Sequence, residues 1–367
     1  MIPGRQYVKE HESKRTGEEE KKEGNEMSYI DMHCDTVSRL LNQRLAGGEE
    51  TLRENKGHVD LLRMKQADCM VQNFALFVEL GQNGDPWERA CALYELYRKE
   101  LEANADLIAP VYQYADIEKN RAAGRMSALL TVEEGAVCGG RLEKLHKLHD
   151  MGVRMLTLTW NFPNELGAPN FSRVLLEQLK KERTGETFEA YFHTPNLRDG
   201  LTERGREFVT EMEKLGMIPD VSHLSDGGFY EVLETTAKPF VASHSNAREV
   251  SPCVRNLTDD MIRKLGNRGG VMGLNFCADF LEEKPFGEKN GGTIAAIVRH
   301  ARHIVNVGGI EVLGLGSDFD GIDTHEEIRD VLGLELLREE LKKAGFTERE
   351  LDMIYYGNVL RVYRDTL

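Results

Sequence analysis

Short, nearly continuous apolar runs alternate with amphipathic stretches along almost the whole sequence. The apolar runs cover 28–33, 69–77, 127–133, 153–160, 217–222, 239–244, 270–276 and 311–318. Runs that are apolar on both faces suit parallel strands covered by helices on either side. Helical patterns fill the intervals at 86–104, 141–151, 202–215, 226–236, 257–266, 293–306 and 333–345. Eight strands alternating with helices predict an α/β fold, a (β/α)8 barrel of the TIM type. A doubly wound open sheet has the same periodicity. However, no GxGxxG follows the first strand, which counts against a dinucleotide-binding sheet.

The 367 residues leave room for two or three domains. No linker, repeat or low-complexity run interrupts the pattern after residue 27, so one barrel over 27–367 is expected. Residues 1–26 carry thirteen charged side chains and little to bury. That leader is expected to be disordered. The stretch 162–200 is longer and less regular than a strand-to-helix connection, and it leaves the end of a strand. It is a candidate lid, with a disordered surface insertion as the alternative.

Charge excludes some functions. Lys and Arg number 47 against 62 Asp and Glu, a net charge of −15. Such a chain does not suit phosphate-tracking nucleic-acid binding or adhesion to an anionic membrane. No apolar run approaches the roughly 18 residues of a membrane helix. The first residues lack the apolar core of a secretory signal, and the last lack a lipid-anchor tail. Six dispersed cysteines without a CxxC fit a reducing compartment. A cytoplasmic location is therefore expected.

The polar residues of the strands sit at their ends. The first strand runs into Asp31-Met32-His33-Cys34-Asp35, and the third into Glu133-Glu134-Gly135. The fifth ends in Asp220-Val221-Ser222-His223, the sixth in Ser243-His244-Ser245, and the eighth in Ser317-Asp318-Phe319-Asp320. Barrel enzymes build their active sites from these C-terminal strand ends. One strand-end histidine, taken singly, is most simply a hydrogen-bonded structural residue. Five strands ending this way together point to a site. His33 and Asp35 are two apart, so on an extended strand both face the same way. They offer a cation one neutral nitrogen and one anionic oxygen. His223 and His244 suit a second cation. Glu133 lies between the groups, and its two oxygens can bridge two metals about 3.5–4 Å apart. Imidazole with carboxylate favours zinc and also accommodates manganese, cobalt or iron.

The segments DMHCDT, GHVDLLRMKQAD, TVEEG, MGVRMLTLTWN, GLTERGREFVTEMEKLGMIPDVSHLS, FVASHSNA, VRNLTDDM, LGLGSDFDG and GFTERELDMIYYGNVLRV carry a resemblance. Together they resemble the membrane (renal) dipeptidase family of binuclear zinc dipeptidases, among the amidohydrolase-like barrels. The likeness runs from Tyr29 to Leu367. It implies two Zn²⁺ ions, one on His33, Asp35 and Glu133 and the other on Glu133, His223 and His244. It implies Asp318 as the proton-transfer carboxylate, Asp320 as its structural companion, and Arg255 as the partner of the substrate's terminal carboxylate. The implied reaction is hydrolysis of a small dipeptide by a hydroxide activated between the metals. A homodimer is also implied.

One departure stands out. Much of the family has a histidine at the end of the fourth strand, where this chain reads LTLTW. Trp160 offers a single indole N–H and takes no positive charge. Asn161 follows and is expected to donate in its place, so Trp160 and Asn161 join Arg255 as substrate-binding candidates. Two other readings compete. Another amidohydrolase-type reaction is the first, although most such barrels begin His-x-His rather than His-x-Asp. A weakly active metal-binding homologue is the second, favoured by Trp160. His58, His146, His149, His193, His300 and His303 are given no catalytic part.

Overall fold

The computed structural model describes residues 28–367 except 83, 175, 178–190, 284–291 and 324–326. The charged leader lies outside the described residues, as does the middle of the candidate lid. Nine parallel strands form one sheet. They are β1 (Tyr29–Asp31), β2 (Cys69–Phe77), β3 (Ile108–Pro110), β4 (Met126–Glu133), β5 (Val153–Thr157), β6 (Ile218–Asp220), β7 (Val241–Ala242), β8 (Val271–Leu274) and β9 (Leu313–Leu315). β1 pairs with both β2 and β9, and β2 also pairs with β4. The ring therefore closes as β1-β2-β4-β5-β6-β7-β8-β9. It is the expected eight-stranded (β/α)8 barrel. β3 stands outside the ring against β4. Its three residues, Ile-Ala-Pro, are too few to show a period, which is why the sequence does not reveal it.

The expected helices form at Pro86–Ala103, Leu142–Asp150, Glu203–Leu215, Asp226–Thr235, Asp259–Asn267, Ile294–Gly308 and Leu334–Lys343. Several start on a side chain that accepts from the third helical amide, as Asp85, Thr202, Ser225, Thr258 and Thr293 do. Such caps satisfy amides that the helix itself leaves open. Their apolar faces pack on the outside of the ring in one large cluster that includes Leu93, Leu145, Phe208, Phe229, Ile262 and Ile297. Among the described residues no helix is long and apolar enough to cross a membrane.

A second cluster fills the lower barrel. Ile30, Val71, Leu129, Met155, Ile218, Val241 and Val271 meet Val359, Val362 and Tyr363 there. The last three lie on the helix Asn358–Thr366, so the end of the chain closes the mouth opposite the strand ends. Tyr363 donates its hydroxyl to Asn73 Oδ1 at 2.8 Å. This apolar floor leaves the C-terminal face as the open end of the barrel.

Candidate metal centre

Glu133 ends β4 pointing inward, on the same parity as Leu129 in the barrel interior. Its Oε2 lies 3.3 Å from His33 Nε2, and its Oε1 lies 3.1 Å from His223 Nε2 and 3.7 Å from His244 Nε2. His33 Nε2 is also 3.4 Å from Asp35 Oδ2 and 3.9 Å from Asp318 Oδ1. The His33 and His244 rings stack with centroids 4.0 Å apart. All five candidate ligands are thus brought together and buried. β1 stops at Asp31, but Cys34 pairs again with Phe319 in a parallel bridge, with the Asp35 amide donating to Phe319 O at 2.9 Å. His33 and Asp35 flank that bridged residue and meet on one side, and the helix Thr36–Leu45 starts directly after Asp35.

Electrostatics divides the cluster. Burial works against protonating His33, but Glu133 and Asp35 outweigh it and raise its pKa well above the ordinary value. Burial, reinforced by Arg255, lowers His223 well below it, and burial with His33 and Arg255 does the same to His244. Burial pushes Glu133 up to about 7 against the pull of His33. It pushes Asp318 up to about 6, again against His33, with Asp35 adding to the rise.

This donor set fits divalent cations. His33 Nε2 and Asp35 Oδ1 are buried without hydrogen-bond partners among the described residues. Such orphaned groups are costly unless something fills the space between them. Crowded buried carboxylates facing neutral imidazoles are ligands for a hard-to-borderline cation. Groups able to hold an ion include His33, Glu133 and His244, and also His33, Asp35 and Asp318.

Glu134 faces elsewhere, as its opposite parity requires. With φ of 112° it accepts from the amides of Ala136 and Trp160 and from the side chain of Asn164. Asp318 follows β9 at φ 65°, and Asn275 Nδ2 holds its Oδ2 at 3.0 Å. Gly321 is required beside it. A Cβ there would lie 2.1 Å from Asp35 Oδ2 and 2.7 Å from Asp318 Oδ1. Asp320 accepts from Thr36 Oγ1 and from the His58 amide, both at 2.7 Å, and so ties the β9 loop to the β1 loop.

A cavity of about 450 Å³ opens above these groups, lined in part by Asp35, Phe77, Trp160, Asn161, Phe280 and Asp318. Trp160 stands three residues beyond the end of β5, edge-on to Phe77 at 4.9 Å and under the Arg173 guanidinium at 5.4 Å. Asn161 turns its Oδ1 to His223 Nδ1 at 3.0 Å, so its carbonyl serves the imidazole. Arg255 is buried beside the same ring, with Nη2 3.1 Å from His223 Nε2. The described ends of the 162–200 stretch pack over its loop. Phe171 and Tyr191 cluster with Cys253 and Val254, and the Val254 amide donates to Phe192 O at 2.9 Å. Sequence reasoning gave no part to Asn275, Phe77 or Phe280, which carry no charge or ligand chemistry to betray them. His300 is buried and structural, and His303 pairs with Asp259.

The profile of a family described as "Membrane dipeptidase (Peptidase family M19)" matches residues 19–366. An uncharacterized dipeptidase of Schizosaccharomyces pombe is 30% identical over 84% of this chain and 72% of its own length. Dipeptidase 3 of Mus musculus is 33% identical over 84% of this chain and 58% of its own. The crystal structure of a metallo peptidase from Rhodobacter sphaeroides superimposes with a TM-score of 0.80 at 27% identity, covering 93% of this chain and 99% of that one. That protein was crystallised with a phosphinate mimic of the dipeptide L-Ala-D-Ala. The chain belongs to the membrane dipeptidase family, peptidase family M19, and is a metallo-dipeptidase.

Proposed function

We propose that this enzyme hydrolyses the peptide bond of dipeptides at a binuclear centre, with zinc as its expected ion. One observation supports the reading above all. Glu133 reaches His33 with one oxygen and His223 with the other, at 3.3 and 3.1 Å. A carboxylate placed in this way suits a bridge between two cations. His33, Asp35 and Glu133 would hold one ion, and Glu133, His223 and His244 the other. Once bound, the ions would supply Lewis acidity and lower the pKa of a water toward about 7.

The protein's own groups would do the rest. Asn275 pins one oxygen of Asp318, leaving the other turned toward His33. That free oxygen is placed to carry a proton between water and substrate. Asp318 would take the proton of the attacking water and deliver it to the leaving amine. Arg255 Nε is buried without a hydrogen-bond partner among the described residues. A substrate carboxylate would satisfy that donor and suits the guanidinium fork. Anchoring the carboxylate there limits the substrate to short peptides. Trp160 and Phe77 would wall the cavity, and the 162–200 stretch would cover it as a lid.

Trp160 favours a second reading, a weakly active homologue. One missing oxyanion donor typically costs about 10²–10³ in turnover. The deciding experiment is a dipeptide panel, with D-residues at the C-terminal position included, on metal-analysed protein. Hydrolysis is expected, abolished by chelation and restored by zinc. Metal-replete protein that cleaves no member overturns the proposal, and slow cleavage of every member supports the second reading.

A further inference from the structure

Asp220 is 1% exposed at the inner end of β6, and among the described residues no cation pairs with it. Burying a carboxylate is costly unless it is fully hydrogen-bonded. Its Oδ1 accepts from Ser222 N at 3.1 Å, Ser222 Oγ at 2.7 Å and Ser243 N at 2.8 Å. Its Oδ2 accepts from Thr157 Oγ1 and Ser243 Oγ, both at 2.6 Å.

Counting protons then gives this cluster a direction. The Ser243 hydroxyl has one hydrogen and lies between Asp220 Oδ2 and His244 Nδ1, the latter at 2.7 Å. A carboxylate only accepts, so the hydrogen goes to Asp220. Ser243 Oγ must therefore accept from His244, which puts that ring's proton on Nδ1 and leaves Nε2 bare. His223 is fixed in the same way from another side. Arg255 Nη2 donates to its Nε2, so its proton lies on Nδ1, facing Asn161 Oδ1. The two Nε2 atoms lie 3.0 Å apart with no hydrogen between them, and Glu133 Oε1 is 3.1 Å from that of His223. These acceptor contacts are unfavourable, and a cation taking the place of the Arg255 hydrogen bond on His223 would relieve them. Glycines hold the backbone close here. A Cβ at Gly273 or Gly316 would lie 2.1 or 1.8 Å from Ser243 O.

We propose that Asp220 and Ser243 are positioning residues, a buried relay that fixes His244 as its Nδ1–H tautomer and so offers Nε2 to the ion shared with His223. The proposal rests on the binuclear reading above. A purely structural role for Asp220, stapling β5, β6 and the two-residue β7, predicts no effect on tautomer.

The test uses Asp220→Asn and Ser243→Ala in the full chain. In Asp220→Asn the two backbone amides of Ser222 and Ser243 require the oxygen at the Oδ1 position, which puts an NH₂ against Ser243 Oγ. Ser243 then accepts from Asn and donates to His244, moving the ring proton to Nε2. Imidazole ¹⁵N–¹H spectra of metal-free protein, assigned by loss of the signal in His244→Gln, read this directly. The expected result is Nδ1–H in wild type and Nε2–H in Asp220→Asn. Zinc competition against a chelator should show one of two ions bound about 10–100-fold more weakly in both variants. Wild-type His244 protonated on Nε2 overturns the relay even if neither variant folds. So does a folded variant with unchanged tautomer and unchanged affinity for both ions. Wild type that binds no zinc overturns the binuclear reading, while the tautomer spectra still decide the relay.

Discussion

Glu133 has unlike neighbours on its two sides. On one stand His33, Asp35 and Asp318, and on the other His223, His244 and Arg255. The three histidines are equally buried, yet His33 is pushed toward the charged form and the other two toward the neutral form. Burial acts on all three alike. The company differs: Glu133 and Asp35 face His33, whereas Arg255 stands beside His223, and His33 with Arg255 beside His244. One side would therefore hold a cation mainly by charge, and the other by lone pairs that the surrounding hydrogen bonds aim. The shared carboxylate makes the two sides one site.

Removing that shared group should have the largest effect. Glu133→Gln is expected to release both ions and lower kcat/KM on the order of 10⁴-fold or more. Metal analysis beside turnover checks this, and retention of both ions would mean that the halves are independent. Next comes Asp318→Asn on the carboxylate side. It should keep both ions while kcat falls about 10²–10⁴-fold with KM little changed. Loss of an ion instead would make Asp318 a ligand. On the other side, Arg255→Lys should raise KM for dipeptides about tenfold with a smaller change in kcat, because an ammonium cannot reproduce the fork. A kcat loss at constant KM would argue against carboxylate anchoring.

The smallest effect is on stability and singles out the imidazole side. His300 backs the loop after His244, accepting from the Ala247 amide at 3.1 Å and donating to Leu281 O at 3.0 Å. Burial lowers its pKa from 6.5 to about 4. A depressed pKa means that the unfolded chain binds the proton more readily. The stabilisation is complete above pH 6.5 and is lost as pH falls toward 4, about 3 kcal/mol in all. Urea midpoints of metal-free protein at pH 8, 6 and 4.5 should fall for wild type and fall less for His300→Gln. Equal slopes would remove His300 from the account.

The ring of eight strands was legible because parallel strands are apolar on both faces, and the site because the histidines and most carboxylates of these runs gather at strand ends. Glu134, one residue beyond Glu133 and of opposite parity, turns away to three donors. His33 and Asp35 lie beyond the regular part of β1, on either side of Cys34, whose bridge to Phe319 carries the pairing on. The direction of Asn161 was not legible. Whether an amide offers oxygen or nitrogen is settled by neighbours distant in sequence, here His223. β3 was hidden by its length.

The closing strand pair has a consequence for synthesis. Asp31 pairs with Leu315 across almost the whole sequence. At about 5–20 residues per second, β1 waits on the order of tens of seconds for its last neighbour. His33 and Asp35 are made within that first stretch, while Asp318 follows β9. On the ribosome the earliest ligands have no partner on one flank, because β1 has an open edge until β9 is made. The last of the five candidate ligands, His244, is therefore made before the strand that closes the ring around them, and Asp318 joins the site only after that strand.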